Sequence, residues 1–247
     1  MDKVKMLAEW IQESQNIVFF GGAGTSTESG IPDFRSAAGL YQSEEKLPYS
    51  PEIMLSRSFF VKHPEVFFGF YRSKMLHPHA EPNDCHRFLA SLEQQGSLKA
   101  VVTQNIDGLH QAAGSVNVLE LHGSVHRNHC MKCGRFYSLS EVMDSKETVP
   151  KCPIDGGIIK PDVVLYEEEL DQHILIKSVR AISQADLLLI GGTSLTVHPA
   201  AGLITYFHGK HTVLLNADPT SYDHKADLLI TEPIGKVMEN IGDQLGL

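Results

Sequence analysis

The chain of 247 residues suits one large α/β domain, or a large domain with a small insert, and is long enough to bury a sizeable core. With 42% hydrophobic and 21% charged residues it has the composition of an ordinary globular protein. Lys+Arg 21 against Asp+Glu 30 leave a formal charge of -9 and no basic run, which argues against direct nucleic-acid binding and favours basic peptide segments as partners.

In chain order, the first residues carry Val4, Leu7, Ala8 and Ile11 on one helical face with acids among them, unlike a signal peptide. No later stretch reaches the length of a membrane span, so no membrane partner is expected and a cytoplasmic location is the default. The apolar run 17–20 stops at clustered glycines and then meets Thr, Ser and Glu, the pattern of a buried strand turning into a helix N-terminus. Such a turn binds phosphate, because glycines let the backbone come close and the free N–H groups of the helix end face the anion. The glycine after Gly22 and Gly24 is Gly30, so the usual dinucleotide spacing G-x-G-x-x-G is not met.

Between 36 and 79, Phe59, Phe60, Phe67, Phe68, Phe70 and Tyr71 occur without strand punctuation, which predicts helices with an aromatic inner face. Five more apolar runs follow at 100–102, 118–121, 187–190, 213–215 and 228–230. Runs apolar on both faces, separated by helix-length segments, predict an α/β fold with a Rossmann-like parallel sheet and helices on both faces. The polar segments after these runs would converge on one crevice outside the carboxyl ends of the strands. His122 stands at one such end, and an imidazole titrating near neutrality suits a base. Between 125 and 160, Cys130 and Cys133 form a C-x-x-C pair among residues too polar for a core of their own, and a metal staple would hold that insert.

Residues 21–35, ending in Gly30-Ile31-Pro32-Asp33-Phe34-Arg35, resemble the first signature of the sirtuins, NAD-dependent protein lysine deacylases. The resemblance implies that Gly22, Ala23, Gly24 and Thr27 contact the NAD phosphates and that Phe34 and Arg35 close over the nicotinamide end. Thr103-Gln104-Asn105-Ile106-Asp107-Gly108-Leu109-His110 resembles the second signature, although alone it reads as an Asn/Asp-Gly turn. It implies Gln104 and Asn105 on the ribose side, with Asn105 also catalytic, and Ile106 and Asp107 at the nicotinamide. His122, followed by Gly123, corresponds to the family's catalytic base. Gly192, Thr193 and Ser194, entering a small-residue helix start, would hold ribose or phosphate oxygens, and Asn216 the adenosine. The segment from Lys160 to Glu168 resembles the edge strand that pairs with substrate, implying Val163, Val164 and Tyr166 as substrate contacts, Val164 against the acyl-lysine. Glu167 stands where many sirtuins have Gly.

The implied domains are an NAD-binding domain of 1–36, 80–124 and 161–247, a helical cofactor-loop insert of 37–79 and a zinc-binding insert of 125–160; the last two form a smaller domain. The implied reaction has the acyl oxygen of an acylated lysine attack the anomeric carbon of the NAD ribose as nicotinamide leaves. His122 then deprotonates a ribose hydroxyl, giving free lysine and O-acyl-ADP-ribose. Protein mono-ADP-ribosyl transfer, a non-catalytic NAD-binding module and a hydride-transfer dehydrogenase are the alternatives. Phe68 and Tyr71 occupy the positions where sirtuins selective for acidic acyl groups carry a Tyr-x-x-Arg pair, so acetyl and longer apolar acyl groups are expected. The expected structural zinc departs from the family's two C-x-x-C pairs: Cys130, Cys133 and Cys152 are joined by Asp155, whose oxygen is a harder ligand than thiolate.

Overall fold

The computed structural model describes residues 2–34, 39 and 48–247. Its strands are β1 (Ile17–Gly21), β2 (Leu98–Thr103), β3 (Val118–Glu120), β4 (Gly123–Cys130), β5 (Phe136–Ser138), β6 (Ile159–Val163), β7 (Leu187–Gly191), β8 (His211–Leu215) and β9 (Leu228–Ile230). Its α-helices are α1 (Lys3–Glu13), α2 (Pro51–Met54), α3 (Arg57–Lys62), α4 (Pro64–Phe70), α5 (Asp84–Gln94), α6 (Leu109–Ala112), α7 (Leu139–Met143), α8 (Gln172–Gln184) and α9 (Ile234–Leu245). Each of the six apolar runs is a strand.

Strand β1 is buried along its whole length, and its alternating side chains divide the core in two. Ile17 and Phe19 face a cluster built with α1, α5 and α9, while Val18 and Phe20 face one built with α8 and the 3-10 turn Ala200–Tyr206. The sheet runs β3-β2-β1-β7-β8-β9 with every neighbouring pair parallel. This is the doubly wound order, and its direction reverses between β1 and β7, where such sheets open a ligand crevice. The long helices start where side chains take up their first N–H groups: Asp2 accepts from Val4 and Lys5, and Asp171 from His173 and Ile174. Among the described residues no helix is long and apolar enough to cross a membrane.

Two turns differ from the sequence expectation. The glycine turn enters a 3-10 turn, Ala23–Ser29, instead of an α-helix. The Thr25 hydroxyl donates to the Gly22 carbonyl and the Thr27 hydroxyl to the Gly24 carbonyl at 3.0 Å, and such side-chain bonds compete with α-helical pairing. After β7, Thr193 and Ser194 do not start a helix. The next helical turn begins at Ala200, and the Thr193 hydroxyl accepts the Leu195 N–H while Leu195 sits at φ 55.

The smaller lobe is an antiparallel sheet, β5-β4-β6, packed against α2, α3 and α4. Phe59, Phe60, Phe67, Phe68, Phe70 and Tyr71 form the expected aromatic inner face, joined by Val125, Val163 and Leu165. Five of these six rings come from α3 and α4, and Tyr71 opens the π turn Tyr71–Met75.

Beneath the crevice α5 meets α6 through His86 and His110, whose ring centroids lie 4.7 Å apart. Both are buried, and among the described residues His86 Nε2 and both ring nitrogens of His110 have no hydrogen-bond partner. Burial pushes His86 down to about 4, with Asp107 opposing and Arg87 adding to the shift, and pushes His110 down to about 3, with His86 adding to it. The unfolded chain, with histidines near pH 6.5, therefore binds more protons than the folded one across the window below that value. Stability from the neutral pair is complete above about pH 6.5 and falls with pH, by up to about 1.4 kcal/mol per pH unit for each histidine. His110→Phe should flatten the dependence of the urea midpoint on pH between about 6 and 4. Equal slopes in variant and wild type would contradict it.

Candidate functional site

The crevice forms where the turns after β1 and β7 touch through their backbones. The Gly22 N–H donates to the Gly191 carbonyl at 3.1 Å and the Gly24 N–H to the Gly192 carbonyl at 2.8 Å. A Cβ on Gly24 would lie 2.7 Å from the Gly192 Cα, and one on Gly192, at φ 58, would overlap the Thr25 nitrogen. Glycine is required here for close approach, and Ala23, between the two bonded glycines, is the first residue of the 3-10 turn.

Buried polar groups link the next segments to this turn. The Asn105 side-chain amide donates to the Thr25 hydroxyl at 3.3 Å and the Ser26 hydroxyl at 3.1 Å, and the Ser26 hydroxyl donates to the Asp107 carboxylate at 2.7 Å. The other Asp107 oxygen accepts the Leu109 N–H at 2.9 Å, closing the Asx turn. Gln104 Nε2 donates to the Thr193 hydroxyl at 3.0 Å, which ties the ends of β2 and β7. Gln104, Asn105, Asp107, Thr193 and the glycine turn are thus one connected group. Ile106 and Phe34 turn instead to the aromatic cluster of the small lobe. Ser194 bonds Thr196 at 2.8 Å, and the Asn216 amide donates to the Asp218 carbonyl at 2.6 Å; both lie on the same edge without joining the network. Arg35 lies outside the described residues. Sequence reasoning missed Asn83, which caps α5 and donates to the Thr25 carbonyl at 2.8 Å and the Ser29 hydroxyl at 3.1 Å. An Asn directly before an amphipathic run is the signal that marks it.

His122 Nδ1 lies 3.0 Å from the Gln104 carbonyl. A carbonyl only accepts, so in the neutral ring Nδ1 carries the proton and Nε2 keeps its lone pair. Burial lowers the pKa of this ring, against the opposing pull of the Gln104 bond, which favours the neutral base at physiological pH. The residue after it must be glycine: Gly123 sits at φ 77 opposite Val163, and a Cβ would overlap the Asp162 carbonyl oxygen.

The His122 carbonyl accepts the Val164 N–H at 2.9 Å, joining the imidazole to the segment after β6. β6 is an edge strand as expected, but it ends at Val163. The Leu165 N–H is taken by the Glu168 carboxylate at 2.9 Å and the Tyr166 N–H by the Leu55 carbonyl at 3.0 Å. Val163 is buried in the aromatic cluster, Val164 half-buried and Tyr166 exposed. Glu167 holds φ 76, a left-handed conformation unusual for a side-chain-bearing residue, and its carboxylate accepts from the Ser58 N–H at 2.8 Å and hydroxyl at 2.9 Å. Phe68 and Tyr71 are buried, whereas the Arg72 guanidinium donates to the carbonyls of Val142, Glu147 and Ser145 at 3.2, 3.1 and 3.4 Å.

At the far end of β4, one ligand atom from each of Cys130, Cys133, Cys152 and Asp155 falls within 4.8 Å of the others. A tetrahedral zinc with Zn–S near 2.3 Å and Zn–O near 2.1 Å requires S···S of about 3.8 Å and S···O of about 3.6 Å. Cys133 and Cys152 sulfurs are 3.8 Å apart, and Cys130 Sγ lies 3.3 Å from one Asp155 oxygen and 3.7 Å from the other. The Gly157 N–H, foremost, holds the Asp155 carboxyl down to about 2, and the Tyr137 hydroxyl, 3.0 Å from Cys152 Sγ, lowers that thiol. Three thiols and a carboxylate at these spacings fit a tetrahedral zinc ion. Cys85 is buried in α5 within the other lobe's core, apart from this set.

The Sir2 family model matches residues 22–199. An NAD-dependent protein deacetylase of Clostridium acetobutylicum is 58% identical over 241 residues, covering 98% of each chain. That of Clostridium tetani is 55% identical over 246 residues, covering 100% of both. A solved Sir2 structure with a deacetylated p53 peptide and 3'-O-acetyl ADP ribose is similar at a TM-score of 0.92 and 34% identity, covering 100% of both chains. Another, Sir2 bound to a propionylated peptide, reaches 0.87 at 35% identity and covers 99% of both. A doubly wound sheet whose switch point carries this glycine contact, matched along its length by such relatives, places the chain in the Sir2 family.

Proposed function

We propose that this chain is an NAD-dependent protein lysine deacetylase, acting on acetyl and longer apolar acyl groups and giving nicotinamide and O-acyl-ADP-ribose. The observation that carries the reading is His122, a half-buried imidazole whose Nδ1 proton is engaged by Gln104 and whose carbonyl holds Val164. NAD supplies an electrophilic ribose carbon with nicotinamide as its leaving group. Ala23, on the turn shaped by Gly22 and Gly24, and Thr27 would face its phosphates, with Gly192, Thr193, Ser194 and Asn216 toward the adenosine half. Gln104, Asn105, Ile106 and Asp107 would orient the nicotinamide ribose, with Phe34 and Arg35 closing over that end. His122 would take a proton from a ribose hydroxyl, while Val163, Val164 and Tyr166 position the acyl-lysine of a protein segment.

The same reading keeps the domain division of 1–36, 80–124 and 161–247, with inserts at 37–79 and 125–160. Its support is that all six parallel strands come from the first group, while α2, α3 and α4 come from one insert and β5 and α7 from the other. β4 and β6 run across the junctions. Free thiols, three of them in a metal-suited cluster, favour a reducing cytoplasm, and a charge of -9 disfavours nucleic acid. Mass spectrometry of products from NAD and a panel of acyl-lysine peptides tests the reading. O-acyl-ADP-ribose with nicotinamide supports it, and ADP-ribose left on protein would replace it with ADP-ribosyl transfer.

His122→Ala should lower kcat/KM for deacetylation by about 100-fold or more while leaving NAD affinity within about threefold, because the ring acts in the reaction rather than in holding the dinucleotide. In the wild type, the acid limb of kcat/KM against pH should have its midpoint below the usual histidine value of about 6.5, since burial lowers this ring and only its neutral form is a base. Near-normal turnover by the folded variant would remove His122 from the role.

Succinyl-lysine should be a substrate worse than acetyl-lysine by about 100-fold, since an unpaired carboxylate entering the aromatic cluster loses its solvation. Arg72 does not answer it, being held by three backbone carbonyls. Comparable kcat/KM on the two peptides would contradict this.

Metal analysis of protein purified without added zinc should find zinc retained by the wild type, held more tightly by Asp155→Cys and lost from Asp155→Ala. A stoichiometrically metal-free wild type that is folded and active would refute the assignment of Asp155.

A further inference from the structure

At the amino ends of the strands, opposite the crevice, lies a cavity of about 320 Å³ between α8 and the sheet. Its floor is apolar, formed by Val18 of β1 and Leu119 of β3, both buried. Its walls carry three cations, Lys99 on β2 with Lys177 and Arg180 on α8, and the amide side chains of Asn16, Asn117 and Gln184. Among the described residues no carboxylate lines it, although the chain carries a formal charge of -9.

These cations are not the halves of ion pairs. Among the described residues Lys177 and Arg180 have no salt-bridge partner, and Lys99 Nζ donates to the Gly96 carbonyl at 2.7 Å. The nearby carboxylates serve the backbone. Asp186 accepts the N–H groups of Gln15 and Asn16, and Glu93 those of Val116 and Asn117, so each holds in place a segment that supplies a wall amide. An anion seated among these cations would gain their attraction without displacing an ion-pair partner. The volume is at the small end of ligand pockets, which suits a compact molecule, and an apolar floor under a few convergent polar groups is the usual composition of such sites.

We propose that this cavity binds a compact small-molecule polyanion, a phosphate ester or a polycarboxylate, with the Arg180 fork and the Lys99 and Lys177 ammonium groups as its contacts. The site is separate from the crevice. Val18 and Gly22 are four residues apart along an extended strand, about 13 Å.

The test uses the full chain saturated with ADP-ribose, so that the cofactor crevice is filled, at low ionic strength where such contacts are least screened. Pyrophosphate and citrate are titrated separately by calorimetry, and the bound region is located by backbone amide NMR shifts. Saturable binding of either probe is expected, with shifts at Asn16, Lys99 and Asn117. Tighter pyrophosphate assigns phosphate esters, and tighter citrate assigns polycarboxylates. The double variant Lys177→Gln/Arg180→Gln should bind about tenfold more weakly or worse, through loss of two charge-assisted contacts. Should that variant melt lower than the wild type, Lys99→Gln, on an exposed strand position, must show the weakening instead. Absence of saturable binding, affinity unchanged in the variants, or shifts confined to residues 22–24 and 192–194 would overturn the proposal.

Discussion

The crevice at the carboxyl ends of the strands depends on one backbone contact, between the turn after β1 and the turn after β7. Because the strand order reverses there, the two chains leave the sheet side by side, and nothing but backbone fits between them. The hydrogen bonds from Gly22 and Gly24 to the carbonyls of Gly191 and Gly192 fix the spacing. The glycines therefore serve the packing of two loops before they serve any ligand. The N–H groups of Gly22 and Gly24 are engaged by carbonyls of the facing turn.

Around this contact the polar side chains act as braces. Asn105 and Ser26 bridge the β1 turn to Asp107, Gln104 bridges β2 to β7, and Asn83 joins the start of α5 to the same turn. Each is buried or partly so, where a hydrogen bond left unmade is costly, and that cost makes the arrangement cooperative. The network stops short of complete satisfaction. His86 and His110 lie beneath it with three ring nitrogens lacking partners, so the crevice rests on a layer that must stay uncharged. His122 differs from His110 in having a carbonyl to engage one nitrogen, which sets its tautomer.

Strand β4 connects two chemistries. It begins at the residue after His122 and ends at Cys130, one of the four atoms suited to zinc, roughly 20 Å away by strand rise. That distance separates the four-residue cluster from the His122 end of the strand and places it within the small lobe. Its own apolar cluster is small, Tyr137, Val142 and Ile159 with two of the cysteines, and three thiols with a carboxylate supply cross-linking that so few apolar side chains do not. The larger aromatic cluster carries Phe34, Ile106 and Val163, so the segments on this side of the crevice are part of the lobe's core.

What the sequence by itself determined was local in origin. Six apolar runs marked six strands, because a strand buried on both faces needs little but continuous hydrophobicity, and the residues behind each run marked the crevice edge. The pair Cys130 and Cys133 was legible from spacing and His122 from its place at a strand end, whereas Cys152 with Asp155, and Gly123 after the histidine, were marked by the family resemblance. Tertiary structure alone decided which strands are neighbours, and hence that Gly24 touches Gly192, 168 residues later in the chain. It also decided that the hydroxyls of Thr25 and Thr27 divert an expected helix into a 3-10 turn, that Asn83 reaches the cofactor turn, and that the N–H groups of Val164, Leu165 and Tyr166 are engaged internally. The division has one physical reason. Hydrophobic period and turn chemistry act over a few residues and are written in the local sequence, whereas a hydrogen bond between distant segments exists only after the sheet has brought their ends together.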